Sequence, residues 1–449
     1  MKLTLPKDVQ GIIKVLTKAG FEAFAVGGCV RDMILGREVK DWDITTNAKP
    51  EEIQKLFKKS FYENAFGTVG VLVGKETYEI TTYRIEEKYT DRRHPDVVQF
   101  TDSLEKDLAR RDFTINAIAF DGKKLIDPFD GQRDIERKLI KAVGNPQDRF
   151  SEDALRMLRA IRFACQLDFA IDPETFQAIR RLAGSLMFIA KERIRDEFIK
   201  MLASFDPAKA INLLKEADLL FKIIPELEGT LGVIQTGHHI YPVFEHLLLA
   251  LKFCPSSDPI VRLATFFHDI GKPATKDIKG DKVTFYSHDK VGAKITEVIM
   301  RRLHFSNDDI KKAVNLVAHH MFYYNPEVTD AAVRRFIKRV GKENIADLIE
   351  LRIGDRLGSG VPKGKTRKLY ELEQRIEEVS KDPISTSQLA IDGHEVMKEF
   401  TIEPGPLIGK ILNALLEMVI EDPELNTKKA LMERAKKLYG EFTSSSSSS

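Results

Sequence analysis

Two carboxylates separated by one residue are the first group in the sequence that could carry out chemistry. Asp41 and Asp43 flank Trp42, and the apolar Ile44 follows them. In a strand, positions i and i+2 point to the same face, so the two carboxylates would project together. Carboxylates paired in this way hold Mg²⁺ ions for in-line displacement at phosphorus. A lone D-x-D sequence is more often a charged turn, so this interpretation depends on the neighbouring residues.

A glycine pair upstream supports the interpretation. Gly27 and Gly28 follow an apolar, strand-like run and open a helical stretch that contains Arg31. Glycines at such a point let backbone N–H groups approach a triphosphate, and a helix N-terminus favours the anion. A tight turn is the alternative explanation for two glycines alone. Combined with the aspartates, the pattern predicts a triphosphate site in which Asp41 and Asp43 are catalytic and bind Mg²⁺.

Two later segments add polar groups to apolar stretches. Residues 109–120 (ARRDFTINAIAF) contain Arg111, Asp112 and Asn116. Residues 152–163 (EDALRMLRAIRF) are typical of a helix, and their polar members are Asp153, Arg156, Arg159 and Arg162. We expect Asp153 and Arg156, three residues apart, to share one helical face. They could pair with the edge of a base or form an ordinary surface ion pair.

These motifs together resemble the class II tRNA nucleotidyltransferases and bacterial poly(A) polymerases of the DNA polymerase β-like superfamily. GGCVRD and KDWDITT resemble the active-site motif of that family, and four later motifs follow in the family's order (109–120, 127–135, 152–163 and 192–198). The resemblance covers 1–230. It implies that Asp41 and Asp43 bind Mg²⁺ and catalyse transfer. It further implies that the nucleotide is bound by Gly27, Gly28, Arg31, Arg111, Asp112, Asn116, Asp153, Arg156, Arg159 and Arg162.

The resemblance also assigns specific tasks within this set. Arg111, Asp112 and Asn116 would contact the ribose 2′-hydroxyl and so select ribonucleotides. Asp153 and Arg156 would read the base of CTP or ATP, so that protein side chains replace a template. Glu79 is a candidate third carboxylate, although a solvent-facing strand residue is equally compatible with its sequence context.

Histidines and aspartates form a second candidate site. The run 266–273 (FFHDIGKP) contains His268 and Asp269, and we expect both to lie on a helix. His246 precedes them, Asp355 follows them, and imidazole with carboxylate suits a divalent cation with open positions for water and phosphate. The pattern resembles the HD phosphohydrolase superfamily. That resemblance implies four metal ligands (His246, His268, Asp269 and Asp355), further roles for His288 and His320, and Mg, Mn, Ni or Co as the metal.

The resemblance leaves several products open. The polar segment 86–108, which includes 91–96 (DRRHPD), favours full CCA addition because enzymes that add only CC are shortened there. A-addition and poly(A) synthesis are the alternatives within the family. An HD phosphohydrolase with an RNA-binding head is the alternative from another class. The HD region itself implies a phosphatase or a 2′,3′-cyclic phosphodiesterase.

The elements that must position these residues predict an α+β fold. Residues 1–140 mix helix and strand patterns and form the predicted polymerase β-like head, whereas later segments are amphipathic helices. Gly- and Pro-rich stretches near 225–242 and 357–366 indicate joints. We therefore predict a head (1–140), a helical neck and body (141–230), an HD domain (231–360), a helical tail with tRNA contacts (361–443) and a disordered serine run (444–449).

Composition limits the partners. The net charge of +2 means that tRNA must be held by local basic patches. The candidates are three groups of basic residues (Arg156/Arg159/Arg162, Arg334/Arg335/Lys338/Arg339 and Lys363/Lys365/Arg367/Lys368), although any one of them alone is better explained as a solvated helix face or loop. No run approaches the roughly 18 apolar residues of a membrane span. We expect a cytoplasmic protein that binds tRNA, CTP and ATP, not a membrane. Its three cysteines are expected to be buried. The sequence does not specify an oligomeric state.

Overall fold

The chain forms two compact units. The computed structural model describes residues 3–64, 67–87, 97–235, 240–279, 282–361 and 364–445. The first unit comprises residues 1–229 with 301–305, and the second comprises 230–300 with 306–449. The break between them lies in the Gly- and Pro-rich stretch 225–242. Residues 88–96 of the polar loop, His238, His239, Lys363 and the last four serines lie outside the described residues.

A seven-stranded mixed sheet organises the first unit. Its strands, in chain order, are β1 (Ala23–Val26), β2 (Asp43–Thr46), β3 (Ser60–Asn64), β4 (Thr68–Val73), β5 (Glu76–Thr82), β8 (Ala119–Phe120) and β9 (Leu125–Ile126). The order across the sheet is β3-β4-β5-β2-β1-β8-β9. Only β2 and β5 are parallel among these pairs. All four residues of β1 are buried, as expected for an apolar central strand.

Smaller strands and helices complete this unit. Two further pairs are β6 (Arg84–Glu87) with β7 (Val97–Phe100), and β10 (Leu139–Ile140) with β11 (Ala170–Ile171). The helices are α1 (Lys7–Lys18), α2 (Gly28–Ile34), α3 (Pro50–Leu56), α4 (Leu104–Ala109), α5 (Gly131–Glu136), α6 (Pro146–Glu152), α7 (Leu155–Leu167), α8 (Pro173–Leu182), α9 (Lys191–Leu202), α10 (Pro207–Glu216) and α11 (Leu220–Ile223). The predicted α+β head followed by helices is confirmed.

The second unit is helical. Its helices are α12 (Val243–Phe253), α13 (Pro259–Phe267), α14 (His288–Arg302, whose last two residues belong to the first unit), α15 (Asn307–His319), α16 (Asp330–Val340), α17 (Ile345–Gly358), α18 (Arg367–Val379), α19 (Gly393–Phe400), α20 (Pro406–Glu421) and α21 (Lys428–Ser445). A hairpin of β12 (Asp277–Lys279) and β13 (Lys282–Thr284) interrupts them. The expectation of helix throughout this region therefore missed one short hairpin.

Apolar periodicity explains the packing of the helices that carry polar residues. In α7 the buried side chains are Leu155, Met157, Leu158, Ala160, Ile161, Phe163, Ala164 and Cys165. Arginines occupy every third position between them, which places the guanidinium groups along one stripe. All three cysteines of the chain are buried, as predicted.

Candidate functional site

The two aspartates of the D-x-D sequence lie at the start of β2. This strand begins at Asp43, so Asp41 precedes it and the prediction that both lie within a strand is wrong by two residues. Both side chains nevertheless line one cleft. Burial raises the pKa of Asp43 and the nearby Asp41 raises it further, while Arg111 opposes the shift. Two carboxylates held together in this way fit a divalent cation, which would relieve their repulsion.

Gly27 forms the floor of the cleft next to these aspartates. Its φ of 85° lies in the left-handed region, immediately before α2. A Cβ atom at this position would lie 2.9 Å from Nη1 of Arg111 and 3.9 Å from Oδ2 of Asp43. A side chain would therefore be strained by the backbone conformation and would press on the guanidinium of Arg111.

A hydrogen-bonded chain of buried polar groups connects α2 to α7. Nη1 of Arg31 donates to Oδ1 of Asn116 at 2.8 Å, and Nδ2 of Asn116 donates to Oδ1 of Asp112 at 3.1 Å. Nε of Arg159 donates to Oδ2 of Asp112 at 2.8 Å. Burial opposes ionisation of Asp112, but Arg159 and Asn116 lower its pKa to about 2. The network fixes four of the predicted nucleotide-binding residues.

Phe163 and the arginines around it form the neighbouring wall. The guanidinium carbons of Arg31, Arg159 and Arg162 lie 5.1, 5.3 and 4.1 Å from the ring centroid of Phe163. Arg162 also donates from Nε to Glu197 at 2.6 Å, and Glu197 is 3% exposed. These contacts hold cations over an aromatic face with little freedom to move.

The cleft encloses about 1010 Å³, which is at the upper end of the range of about 300–1,000 Å³ for small-molecule sites. It therefore has room for more than one nucleotide. Arg111 lines it, and Nε of Arg111 is buried without an acceptor in the described part of the chain. Of the sequence-predicted residues, the cleft brings together Gly27, Gly28, Arg31, Asp41, Asp43, Arg111, Asp112, Asn116, Arg159 and Arg162.

The sequence interpretation missed several residues of this cleft. Arg37, Lys40 and Lys200 line it, as does Phe205, which is 98% exposed. Arg37 lies between two recognised motifs and Lys40 is the first residue of the second, so their position was the available signal. Phe205 follows the end of α9, and its sequence context carries no comparable signal.

Asp153 and Arg156 lie outside the residues that line the cleft. The prediction that they share a helical face is wrong, because α6 ends at Glu152 and Asp153 has an extended backbone that caps α6. Asp153 accepts a hydrogen bond from Nη2 of Arg193 at 2.8 Å, and Nη1 of Arg156 donates to Glu152 at 2.6 Å. The backbone N–H of Leu155 donates a further hydrogen bond to Oδ1 of Asp153 at 2.9 Å. Both side chains are thus held by protein partners.

Glu79 lies beside the aspartate pair. The register of the parallel strands β2 and β5 places Glu79 opposite Asp43. Residues in register on neighbouring strands project from the same face of a sheet. The candidate third carboxylate is therefore next to the D-x-D sequence, and its role stays a prediction.

The second unit brings all six predicted histidines and aspartates into one buried cluster. Nε2 of His246 lies 3.0 Å from Nε2 of His268 and 3.3 Å from Oδ1 of Asp355. Oδ2 of Asp269 lies 3.2 Å from Nε2 of His268, and its other oxygen lies 3.2 Å from Nε2 of His288. None of the six exceeds 7% exposure (His246, His268, Asp269, His288, His320 and Asp355).

The cluster contains two groups of possible metal ligands, and Asp269 belongs to both. One group contains His246 and His268, and the other contains His288 and His320. The predicted helix ends at Phe267, and His268 caps it with helical backbone dihedrals, so His268 and Asp269 lie in the turn that directly follows α13.

The charges in this cluster suit a divalent cation. Burial would raise the pKa of Asp269 and Asp355, but the surrounding histidines, together with Lys272 for Asp269 and Arg352 for Asp355, hold each pKa well below its usual range. Both carboxylates are therefore anionic at neutral pH. Imidazole nitrogens and carboxylate oxygens together form a donor set that transition metals accept readily.

A cationic cavity of about 350 Å³ opens from the cluster. Lys272, Arg352 and Arg356 line it together with Asp269 and Asp355. Nε of Arg356 is buried and meets no hydrogen-bond acceptor among the described residues. An anionic ligand would satisfy this donor, so the cavity fits a phosphate group beside the metal ligands.

The predicted basic patch on α16 is largely occupied by contacts within the protein. Arg334 is 5% exposed and donates to the carbonyl of Ile420 and to Asp382, each at 2.7 Å. Lys338 donates to Glu417 at 2.8 Å. Arg334 and Lys338 therefore join α16 to α20, so Arg334 is held by the protein and does not lie on a solvated face.

Comparisons with known proteins relate the whole chain to RNA-modifying enzymes. Residues 23–141 match the family model of the poly A polymerase head domain. Residues 168–231 match the RNA-binding segment of polymerase A, and 284–435 match tRNA nucleotidyltransferase domain 2.

Full-length relatives extend this likeness. The chain is 34% identical to a CCA-adding enzyme of Ligilactobacillus salivarius over 97% of each protein. It is 35% identical to an A-adding tRNA nucleotidyltransferase of Deinococcus radiodurans, over 88% of this chain and 91% of that protein.

A solved structure agrees. The Bacillus stearothermophilus CCA-adding enzyme, crystallised with CTP, superposes with a TM-score of 0.73 and 29% identity, covering 96% of this chain and 98% of that one. Among the described residues, no helix combines the length and apolar character that crossing a bilayer requires.

Proposed function

The chain belongs to the tRNA nucleotidyltransferase family, and we propose that its first unit adds CCA to the 3′ end of tRNA from CTP and ATP without a nucleic-acid template. The observation that carries this proposal is the pair Asp41 and Asp43 at the edge of a cleft of about 1010 Å³. The cleft walls carry arginines, and Gly27 leaves the space beside Asp43 open.

Each part of the cleft has a task in nucleotidyl transfer. Asp41 and Asp43 hold Mg²⁺, which when bound activates the RNA 3′-hydroxyl and neutralises charge on the phosphates. Gly27, Gly28 and Arg31 bind the triphosphate, and Arg111 lies with Asp112 and Asn116 on the ribose side. The amide of Asn116, fixed by Asp112, lies where it can donate to or accept from the ribose 2′-hydroxyl.

Base selection is proposed for Asp153 and Arg156. In the free enzyme these side chains pair with Arg193 and Glu152, respectively. Reading a base requires both to exchange a protein partner for the Watson–Crick edge of cytosine or adenine. The protein partners thus keep each charge satisfied until a nucleotide replaces them.

The decisive experiment uses a tRNA transcript that ends at the discriminator base. With Mg²⁺ and CTP alone we expect two added residues, and with CTP and ATP we expect three followed by a stop. Addition of a single adenosine only to tRNA ending in CC would assign A-addition, as in the Deinococcus relative. A long adenylate ladder on unrelated RNA would assign poly(A) synthesis, and no extension would refute nucleotidyl transfer.

The templating proposal has its own test. We expect Asp153→Ala to lower kcat/KM for CTP by about 100-fold and to admit UTP, because lost pairing groups discriminate by several tenfold steps. Arg180→Ala, in the exposed pair with Asp218, serves as the matched control and should leave both values unchanged. Unaltered nucleotide choice in Asp153→Ala would refute the templating role.

The histidine cluster supports a second function, metal-dependent phosphate ester hydrolysis. His246, His268, Asp269 and Asp355 hold a divalent metal (Mg, Mn, Ni or Co), which when bound supplies a nucleophilic water at neutral pH. Lys272, Arg352 and Arg356 bind the phosphate, as their positions in the 350 Å³ cavity suggest.

Hydrolysis is tested with p-nitrophenyl phosphate and with nucleoside 2′,3′-cyclic phosphates in the presence of each metal. A protein carrying His268→Ala with Asp269→Ala should release neither product and should no longer retain metal during gel filtration. Unchanged hydrolysis by this variant would refute the cluster as the hydrolytic site.

A further inference from the structure

A pocket lined by aromatic side chains lies in the second unit. It encloses about 340 Å³. We call it the aromatic pocket, and its principal lining residues are Phe322, Tyr323, Tyr324, Phe336, Arg335 and Arg339. Its volume lies within the range of about 300–1,000 Å³ typical of small-ligand sites and suits one nucleoside.

The rings of this pocket combine a fixed wall with an open face. Phe322 and Phe336 pack with ring centroids 5.2 Å apart, and the guanidinium of Arg375 lies 6.0 Å from the ring of Tyr324. Tyr323, by contrast, is 81% exposed. A flat ligand can therefore stack against Tyr323 without displacing packed side chains.

The aromatic pocket adjoins the histidine cluster. His320 belongs to the cluster, Met321 lines its cationic cavity, and Phe322 lines the aromatic pocket, so one short segment borders both. Arg352 joins them in space. Its Nη1 donates to Asp355 at 2.6 Å, and its Cζ lies 5.9 Å from the ring centroid of Phe322.

These two contacts place the Phe322 ring within about 10 Å of the Asp355 carboxylate, since a guanidinium C–N bond adds only about 1.3 Å. A nucleotide spans a comparable distance from base to phosphate. The described residues that line the aromatic pocket include no acidic side chain, and the exposed Arg339 lies at its edge. Arg335 is paired with Glu417 and Glu421, so its charge is already balanced.

We propose that the aromatic pocket is a base-binding subsite, which places the phosphate of a nucleotide or of an RNA-terminal nucleotide at the histidine cluster. The inference rests on the metal-dependent hydrolysis proposed above. It makes the preferred substrate a nucleoside phosphate, since a small phosphate ester would leave the aromatic pocket empty. Stacking suits any base, because every base offers a π-face.

The test compares two substrates in the metal-loaded, full-length protein. Tyr323→Ala should raise KM for adenosine 3′-monophosphate by about tenfold, the effect of losing one base–aromatic stack. KM for p-nitrophenyl phosphate should stay within about twofold, because it does not reach the pocket. Tyr323→Trp should restore nucleotide binding. Tyr370→Ala is the matched control, since Tyr370 is 55% exposed in the same unit and is not among the pocket-lining residues.

A second measurement does not need turnover. Photo-crosslinking with 8-azidoadenosine 3′-monophosphate should label residues 321–339 in the wild type and lose that label in Tyr323→Ala. Labelling confined to the first unit would overturn the inference. So would equal changes in KM for both substrates. If neither substrate is hydrolysed but 321–339 is labelled, the hydrolase proposal fails while the base subsite stands.

Discussion

The two candidate sites of this chain differ in how they hold charge. In the first unit, two carboxylates face an open cleft, and the pKa of Asp43 is raised by burial and by Asp41. In the second unit, the six histidines and aspartates of the cluster are buried, and Asp269 has a pKa well below its usual range. In the first site, burial keeps the pKa of Asp43 raised despite Arg111, whereas in the second site the carboxylates are already stabilised as anions.

This difference indicates two kinds of metal use. Oxygen donors in an open cleft suit Mg²⁺, which keeps several waters and exchanges with substrate phosphates. Buried imidazole and carboxylate donors suit a transition metal that remains with the protein. Under the proposals above, the cleft would accept a substrate that changes at each addition, whereas the cluster would hold its metal in place beside a phosphate.

The largest expected effect is the loss of nucleotide incorporation, but not of phosphate release, when the aspartate pair of the cleft is changed. Asp43→Asn should lower kcat for CTP incorporation by about 10³-fold or more, because a lost metal ligand removes several kcal/mol of transition-state stabilisation. Phosphate release by the second unit should be unchanged. The double variant His268→Ala, Asp269→Ala should show the reverse. If Asp43→Asn also abolishes phosphate release, the two sites are not independent.

Stability provides the next comparison. Glu197→Gln should destabilise the first unit by about 3 kcal/mol, because it leaves the buried Arg162 without a charged partner. Chemical denaturation followed by circular dichroism measures this change. Asp218→Asn, in an exposed pair with Arg180, should cost less than about 1 kcal/mol. If added metal restored the unfolding free energy of Glu197→Gln, metal binding rather than the Arg162–Glu197 ion pair would be what stabilises the cleft.

Loading with a transition metal should stabilise the second unit through the histidine cluster. At a free Mn²⁺ or Ni²⁺ concentration about 100 times its dissociation constant, linkage predicts stabilisation by about 3 kcal/mol. Calorimetry with and without chelator measures the shift. His268→Ala should remove it, whereas Asp41→Asn should not. A metal-dependent shift that persists in His268→Ala would place the metal elsewhere.

The smallest effect concerns pH. The pKa of Asp112 is about 2 in the folded protein, below the unfolded value of 3.8. Its ionised form therefore stabilises the fold above about pH 4, and this contribution, about 2 kcal/mol, is lost as the pH falls toward 2. Asp112→Asn should flatten acid unfolding between pH 4 and 2. The exposed Asp102→Asn is the control, and an equal effect there would exclude the Arg159 pairing as the cause.

Local pattern was sufficient to predict much of this protein. The apolar run before Gly27 predicted β1, and the helical pattern of residues 152–163 predicted α7. The glycine pair and the D-x-D sequence predicted one site, and the ten cleft residues named from motifs do line a common cavity. These features depend on residues that are close together in the sequence, so the sequence alone is sufficient to predict them.

Other features depended on contacts between distant segments. The break at Asp153 arises where α6 ends and Arg193 of α9 takes its carboxylate, which no local pattern specifies. Arg334 and Lys338 of α16 are paired with residues more than 40 positions away, so these basic residues form contacts within the protein. The position of Phe205 at the cleft and the grouping of the rings in the aromatic pocket are visible only in the folded structure. Charge and exposure are properties of a residue's surroundings, and only the tertiary structure supplies those surroundings.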